Sequence, residues 1–123
     1  MKYLSIFRPS CPDELRDCIK GKTIIVAESG DAVIGFAVIN RTHRKETPFQ
    51  YARDYIEIDE LGVDCAHKRK GVATEILKFI EYYAMENGIA RIELNMWEFN
   101  EEALAFYEVS SFKTYRRYLE KSI

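Results

Sequence analysis

Three consecutive bases, Lys68, Arg69 and Lys70, stand directly before Gly71-Val72-Ala73, where the strand-like stretch Asp59 to Val63 gives way to the helical run Thr74 to Ile80. A basic, glycine-marked turn that opens a helix offers backbone N–H groups and the positive end of the helix dipole to whatever lies in front of it. Such a turn suits an anion, and a phosphate-bearing ligand first of all. The N–H groups from Arg69 to Ala73 can converge on it, with Gly71 allowing close approach of the backbone. The other reactive side-chain types give less. His43 and His67 read as surface residues, Cys65 as a small buried filler, and their spacing sets up no metal site.

The elements that must hold this turn follow from the pattern of the chain. Lys2 to Arg8 predicts a first strand, and Pro12 to Gly21 a helix of about two turns with Leu15, Cys18 and Ile19 on one face. Thr23 to Glu28 and Ala32 to Ile39, separated by Ser29-Gly30-Asp31, predict a hairpin. Asn40 to Arg53 carries many charges and little periodicity, which predicts a long polar loop. Tyr55 to Val63 predicts a strand with Tyr55, Glu57 and Asp59 on one face, bulged or bent near Gly62. From Val72 the apolar spacing predicts a long helix stopped by Asn87-Gly88. A strand over Ile92 to Met96, a helix from about Glu101 to Val109 and a terminal strand over Phe112 to Glu120 complete the order. This order predicts an α/β domain whose mixed sheet has helices on its faces.

Composition bounds the partners. The chain has 123 residues, a size that fits a single domain over 1–123. Net charge −2 and a pI near 5.7 argue against non-specific nucleic-acid binding, which needs a broad basic field. Three cysteines without paired spacing suggest neither a disulfide framework nor zinc, and favour a reducing compartment. No signal-like N-terminus or membrane span is visible, so a cytoplasmic location with no membrane partner is expected.

Two blocks resemble the GNAT superfamily of acyl-CoA-dependent N-acyltransferases. Leu61-Gly62-Val63 followed by Lys68-Arg69-Lys70-Gly71-Val72-Ala73 is similar to the family's (Gln/Arg)-x-x-Gly-x-(Gly/Ala) pyrophosphate loop. Asn100-Glu101-Glu102-Ala103-Leu104-Ala105-Phe106-Tyr107, continuing to Ser111-Phe112, is similar to its Asn-x-x-Ala-x-x-Phe-Tyr-x-x-x-Gly-Phe segment. Two departures stand out. Lys68 replaces Gln or Arg, which keeps a donor but loses planar geometry, and Ser111 replaces a Gly, which matters if the turn needs positive φ.

The resemblance implies a mostly antiparallel sheet with a central splayed parallel strand pair. It implies acetyl-CoA as co-substrate, a primary amine as acceptor and no metal. Leu61, Gly62 and Val63 would hold the pantetheine and thioester carbonyl through their backbone. Lys68 to Ala73 would hold the pyrophosphate, Asn100 would contact the pantetheine, and Tyr107 would protonate the departing thiolate. Glu57, fourteen positions before Gly71, sits at the offset where some members place a catalytic base. Deprotonating a lysine-like amine of pKa ~10.4 at pH 7 costs about 4.6 kcal/mol, against about 1 for an α-amine. A required carboxylate would therefore favour an alkyl amine. The stretch Ser10 to Gly21 is short for the two helices the family usually has there. A reduced acceptor wall is therefore expected, completed by Asn40 to Asp54 or by a second copy in a homodimer, favouring a peptide or protein amine. A non-catalytic acyl-CoA sensor of the same fold is the alternative.

Overall fold

Aliphatic residues on one face of the strands build the core side of the sheet. The computed structural model describes residues 2–7 and 22–123. Strands β1 (Lys2–Phe7), β2 (Lys22–Ser29), β3 (Ala32–Arg44), β4 (Arg53–Val63) and β5 (Ile92–Leu94) lie in the order β1-β2-β3-β4-β5. The first four are antiparallel neighbours, and β4 and β5 run parallel. Helix α1 (Val72–Glu86) crosses from β4 to β5, and α2 (Glu101–Val109) follows β5. The expected short helix over Pro12 to Gly21, with Cys11, Cys18 and the reduced N-terminal wall, lies outside the described residues.

One face of the sheet meets α1. Ile25, Ala37, Ile39 and Ile56 are fully buried there against Ile76 and Ile80. Gly35 makes this close contact possible, since a Cβ would stand 2.9 Å from the Val72 side chain and 3.0 Å from that of Ile76. The helix thus starts almost on the sheet, which brings its N-terminus beside the end of β4.

The α/β class and mixed, mostly antiparallel sheet agree with expectation, but three elements differ. The stretch Asn40 to Arg53 is not a long loop. Strands β3 and β4 continue through it as a ladder to the pair Arg44 and Arg53, and only 45–52 form the connection. Polar side-chain pairs replace apolar alternation here: Arg41 holds Asp54 at 3.0 Å, and Arg44 Nε donates to the Tyr55 hydroxyl at 3.1 Å. Strand β5 ends at Leu94 rather than Met96, because β4 bulges just beyond their last pair, Ile58 and Leu94. The terminal strand over Phe112 to Glu120 does not form. That segment is tied to the sheet by side chains, chiefly Tyr115 on Glu93, instead of a ladder, so the parallel pair lies at the β5 edge and not at the centre.

Candidate active site

The site begins at a bulge. Strand β4 pairs Ile58 with Ile39 and Glu60 with Val38, leaving Asp59 as the extra residue. This is three residues earlier than the bend expected at Gly62. One extra residue reverses the alternation that follows, so Leu61 and Val63 return to the core face and Glu60 joins Glu57 on the other. Two neighbours pin the bulge. Asn40 Nδ2 donates to both Asp59 carboxylate oxygens at 3.1 and 3.0 Å, and Lys22 Nζ lies 2.9 Å from one of them.

Beyond the bulge, β4 and β5 part. The amide of Asp64 donates to Ile34 of β3 at 2.8 Å, so by strand alternation the N–H groups of Leu61 and Val63 face the opposite edge, which β5 has left. Between the parted strands lies a cleft of about 420 Å³ lined by Leu61, Asn95, Trp97, Asn100 and Tyr107, among others. Gly62 lies beneath the Phe36 ring, and a Cβ there would come within 2.7 Å of it. Glycine thus lets Phe36 lie flat and form a wall of the cleft.

At the far end of β4 the chain makes a 3₁₀ turn over Cys65–His67, and His67 Nδ1 meets the Asp64 carboxylate at 2.9 Å. Cys65 is exposed, not the buried filler expected. Lys68 is extended, Arg69 turns left-handed with φ 63°, and Gly71 does so again with φ 81° at the cap of α1. An L side chain in that region costs about 1 to 2 kcal/mol, so the Arg69 conformation is strained. Gly71 escapes the cost. The first intrahelical bond runs from Glu75 to Gly71, so the amides of Val72, Ala73 and Thr74 have no intrahelical acceptor. Lys68, Arg69 and Lys70 are all exposed around them.

Helix α2 supplies the opposite wall. Asn100 caps it, its Oδ1 accepting from the Ala103 amide at 3.2 Å, and its side chain also lines the cleft. Capping therefore occupies only its oxygen. The other end closes with Ser111 N–H donating to Glu108 C=O at 3.1 Å and Phe112 N–H to Tyr107 C=O at 2.9 Å. This is a Schellman turn, and it places the Phe112 ring edge-on against Tyr107 at 5.4 Å. Ser111 has φ 73°, so the position does require the left-handed conformation that glycine would adopt freely. Half-buried between Phe106 and Phe112, Tyr107 has its phenol pKa pushed up by desolvation and remains protonated at neutral pH.

A second cavity, about 320 Å³, opens along β4 and β5 toward the far end of the hairpin. Glu57 lines it together with Tyr55, but Asp59, predicted on their face, belongs instead to the cleft wall. Sequence reasoning missed the other groups that shape this cavity. Arg53 Nη2 lies 2.9 Å from Glu93 Oε2, the two side chains being only 26% and 9% exposed. Tyr115 donates its hydroxyl to the same carboxylate, which raises the phenol's pKa, and its ring lies under the Arg53 guanidinium at 4.6 Å. The alternation Arg91, Glu93, Asn95 could have placed Glu93 away from the core. Nothing in the sequence brings Arg53 or Tyr115 to it. Leu94 and Asn95 line both cavities, so the two meet at the end of β5.

The acetyltransferase (GNAT) family matches residues 2–112. The chain belongs to the GNAT acetyltransferases. It is 26% identical over 98 residues to a mouse protein described as probable N-acetyltransferase family 8 member 5, covering 80% of this chain and 41% of that one. A tetramutant of the BH1408 protein from Bacillus halodurans superposes with a TM-score of 0.82 at 22% identity, covering 95% of this chain and 80% of that chain. The aminoglycoside N-acetyltransferase AAC(6')-Iy, solved with CoA, superposes with a TM-score of 0.79 at 12% identity, covering 100% and 95%. At these identities the solved structures share the GNAT fold. Among the described residues no helix is long and apolar enough to cross a membrane, and no cluster of His, Cys, Asp or Glu has the makings of a metal site.

Proposed function

We propose that this chain is a single-domain GNAT N-acetyltransferase, residues 1–123, that moves an acetyl group from acetyl-CoA to a primary amine by direct attack in a ternary complex, in a reducing cytoplasm. One observation carries the reading: two cavities meet at Leu94 and Asn95, with a protonated Tyr107 on one and the carboxylate of Glu57 on the other. The cleft takes the pantetheine arm and thioester, and the left-handed turn at Arg69 to Gly71 takes the pyrophosphate on the amides leading into α1. Lys68, Arg69 and Lys70 add positive charge around it. The amine enters from the second cavity.

Glu57 removes a proton from the ammonium, directly or through water, and the free amine attacks the thioester carbonyl carbon. Charge develops on the carbonyl oxygen, where the amides of Leu61 and Val63 can donate to it. Collapse breaks the C–S bond, the thiolate takes the Tyr107 proton, and the second proton left on the new amide nitrogen passes through water back to the Tyr107 phenolate. Much of the acceleration comes from holding amine and thioester together.

Thermal unfolding with acetyl-CoA and mass spectrometry of an amine panel test this reading. The midpoint rises and at least one amine gains an acetyl group. A rise with no amine modified establishes the acyl-CoA sensor instead. An unchanged midpoint at millimolar acetyl-CoA sinks both.

A further inference from the structure

The second cavity has a charge pattern that specifies its amine. Three arginines, Arg44, Arg53 and Arg116, line it against two carboxylates, Glu57 and Glu93. Arg53 and Glu93 face each other at 2.9 Å and largely cancel, although Arg53 Nε is buried without an acceptor and leaves some positive potential at the wall. Glu57 then remains opposite two guanidiniums. Arg44 is held through Nε by the Tyr55 hydroxyl at 3.1 Å, which fixes the group and leaves its Nη pair to other acceptors. Arg116 lies 4.9 Å above the Tyr118 ring. The Glu57 charge acts on Arg44 while the chamber is empty, and an ammonium seated at Glu57 competes for that charge, leaving Arg44 and Arg116 in excess of the carboxylates around them.

We infer that the acceptor is a primary amine that itself carries a carboxylate, the ammonium meeting Glu57 and the carboxylate meeting the Arg44 and Arg116 guanidiniums. This rests on the acetyltransferase reading above. Guanidinium and carboxylate pair in two-point hydrogen bonds that ammonium ions do not match, so the recognition is selective as well as attractive. A polycationic acceptor such as an aminoglycoside is disfavoured, because each further ammonium meets Arg44 or Arg116 without a free carboxylate. The volume of about 320 Å³ lies at the small end of ligand sites and suits an amino acid or the end of an acidic peptide.

The experiment uses the full chain with acetyl-CoA and matched acceptors: β-alanine, γ-aminobutyrate and L-lysine, their amides, an acidic peptide with a free N-terminus, and the polyamines spermidine and neamine. The carboxylated form exceeds its amide by ~10-fold or more in kcat/KM, the scale of one charge-assisted hydrogen-bonded contact. Arg44→Gln and Arg116→Gln each raise KM for the carboxylate and shrink the ratio to the amide, with kcat altered less. The free amino acids against the acidic peptide separate the two sources of this chemistry. Equal or better turnover of amides or polyamines overturns the inference while leaving the acetyltransferase reading intact. No acetylation of any amine overturns that reading itself. A carboxylate preference that survives both arginine variants also overturns the assignment.

Discussion

The two cavities that meet at Leu94 and Asn95 are built from different materials. The cleft is made largely by backbone: the bulge at Asp59, the glycine under Phe36, the amides of Leu61 and Val63, and the left-handed Arg69 and Gly71. The second cavity is made by side chains from the far end of the hairpin, from β4 and β5, and from the tail beyond α2. Backbone sites are written in short runs of sequence, because adjacent residues supply adjacent amides. Side-chain sites are assembled across the fold and leave no local trace. The difference teaches where variants should act: acetyl-CoA binding in the cleft should tolerate loss of a side chain better than a change of backbone, and amine binding in the other cavity should do the reverse.

The largest effect is expected at Glu57. Glu57→Gln should lower kcat by ~100-fold or more for an alkyl amine while acetyl-CoA binding stays unchanged, as isothermal titration would report. Weaker acetyl-CoA binding would break the separation of the two cavities. Arg53→Met should cost about 2 to 4 kcal/mol of stability in urea unfolding, since Glu93 is left buried without its cation.

Tyr107→Phe should reduce kcat by ~10 to 100-fold, a modest loss because a thiolate of ordinary pKa is already a fair leaving group. The same variant has a stability readout. Burial raises the Tyr107 pKa above its ordinary 10.0, so the stabilisation linked to the protonated form is complete below that pH and is lost as pH rises through the raised value. In Tyr107→Phe the unfolding midpoint should fall less as pH is raised above 10.0.

Ser111→Gly should stabilise the chain by about 1 kcal/mol by removing a left-handed side chain, and should sharpen the comparison by leaving the amine side untouched. The smallest effect is expected at Lys68. Lys68→Ala should weaken acetyl-CoA binding by only ~3-fold, because an exposed charge adds little to what the amides supply. A hundredfold loss would show that the cleft depends on side chains after all.

The same contrast accounts for what could be read in advance. Gly71 before a helix and Asn100 three residues before Ala103 are local signals, and both lie where those signals place them. The hairpin and α1 followed from apolar periodicity. The polar half of the hairpin escaped because its strands are matched by Arg41 with Asp54 and Arg44 with Tyr55, pairs separated by more than ten residues. The bulge escaped for a similar reason: its clamp joins Lys22, Asn40 and Asp59 from three strands. The tail reads as a strand by alternation, yet its aromatic positions are taken up by side-chain contacts with Tyr107, Arg53 and Glu93.

Phe112 and Tyr115 are only three positions apart, a span of about 10 Å when extended. One ring braces the proposed proton donor and the other seals the carboxylate beside the proposed base's cavity. The segment from Phe112 to Tyr115 is therefore a shared strut. Cutting after Ser111 would loosen both reacting partners at once.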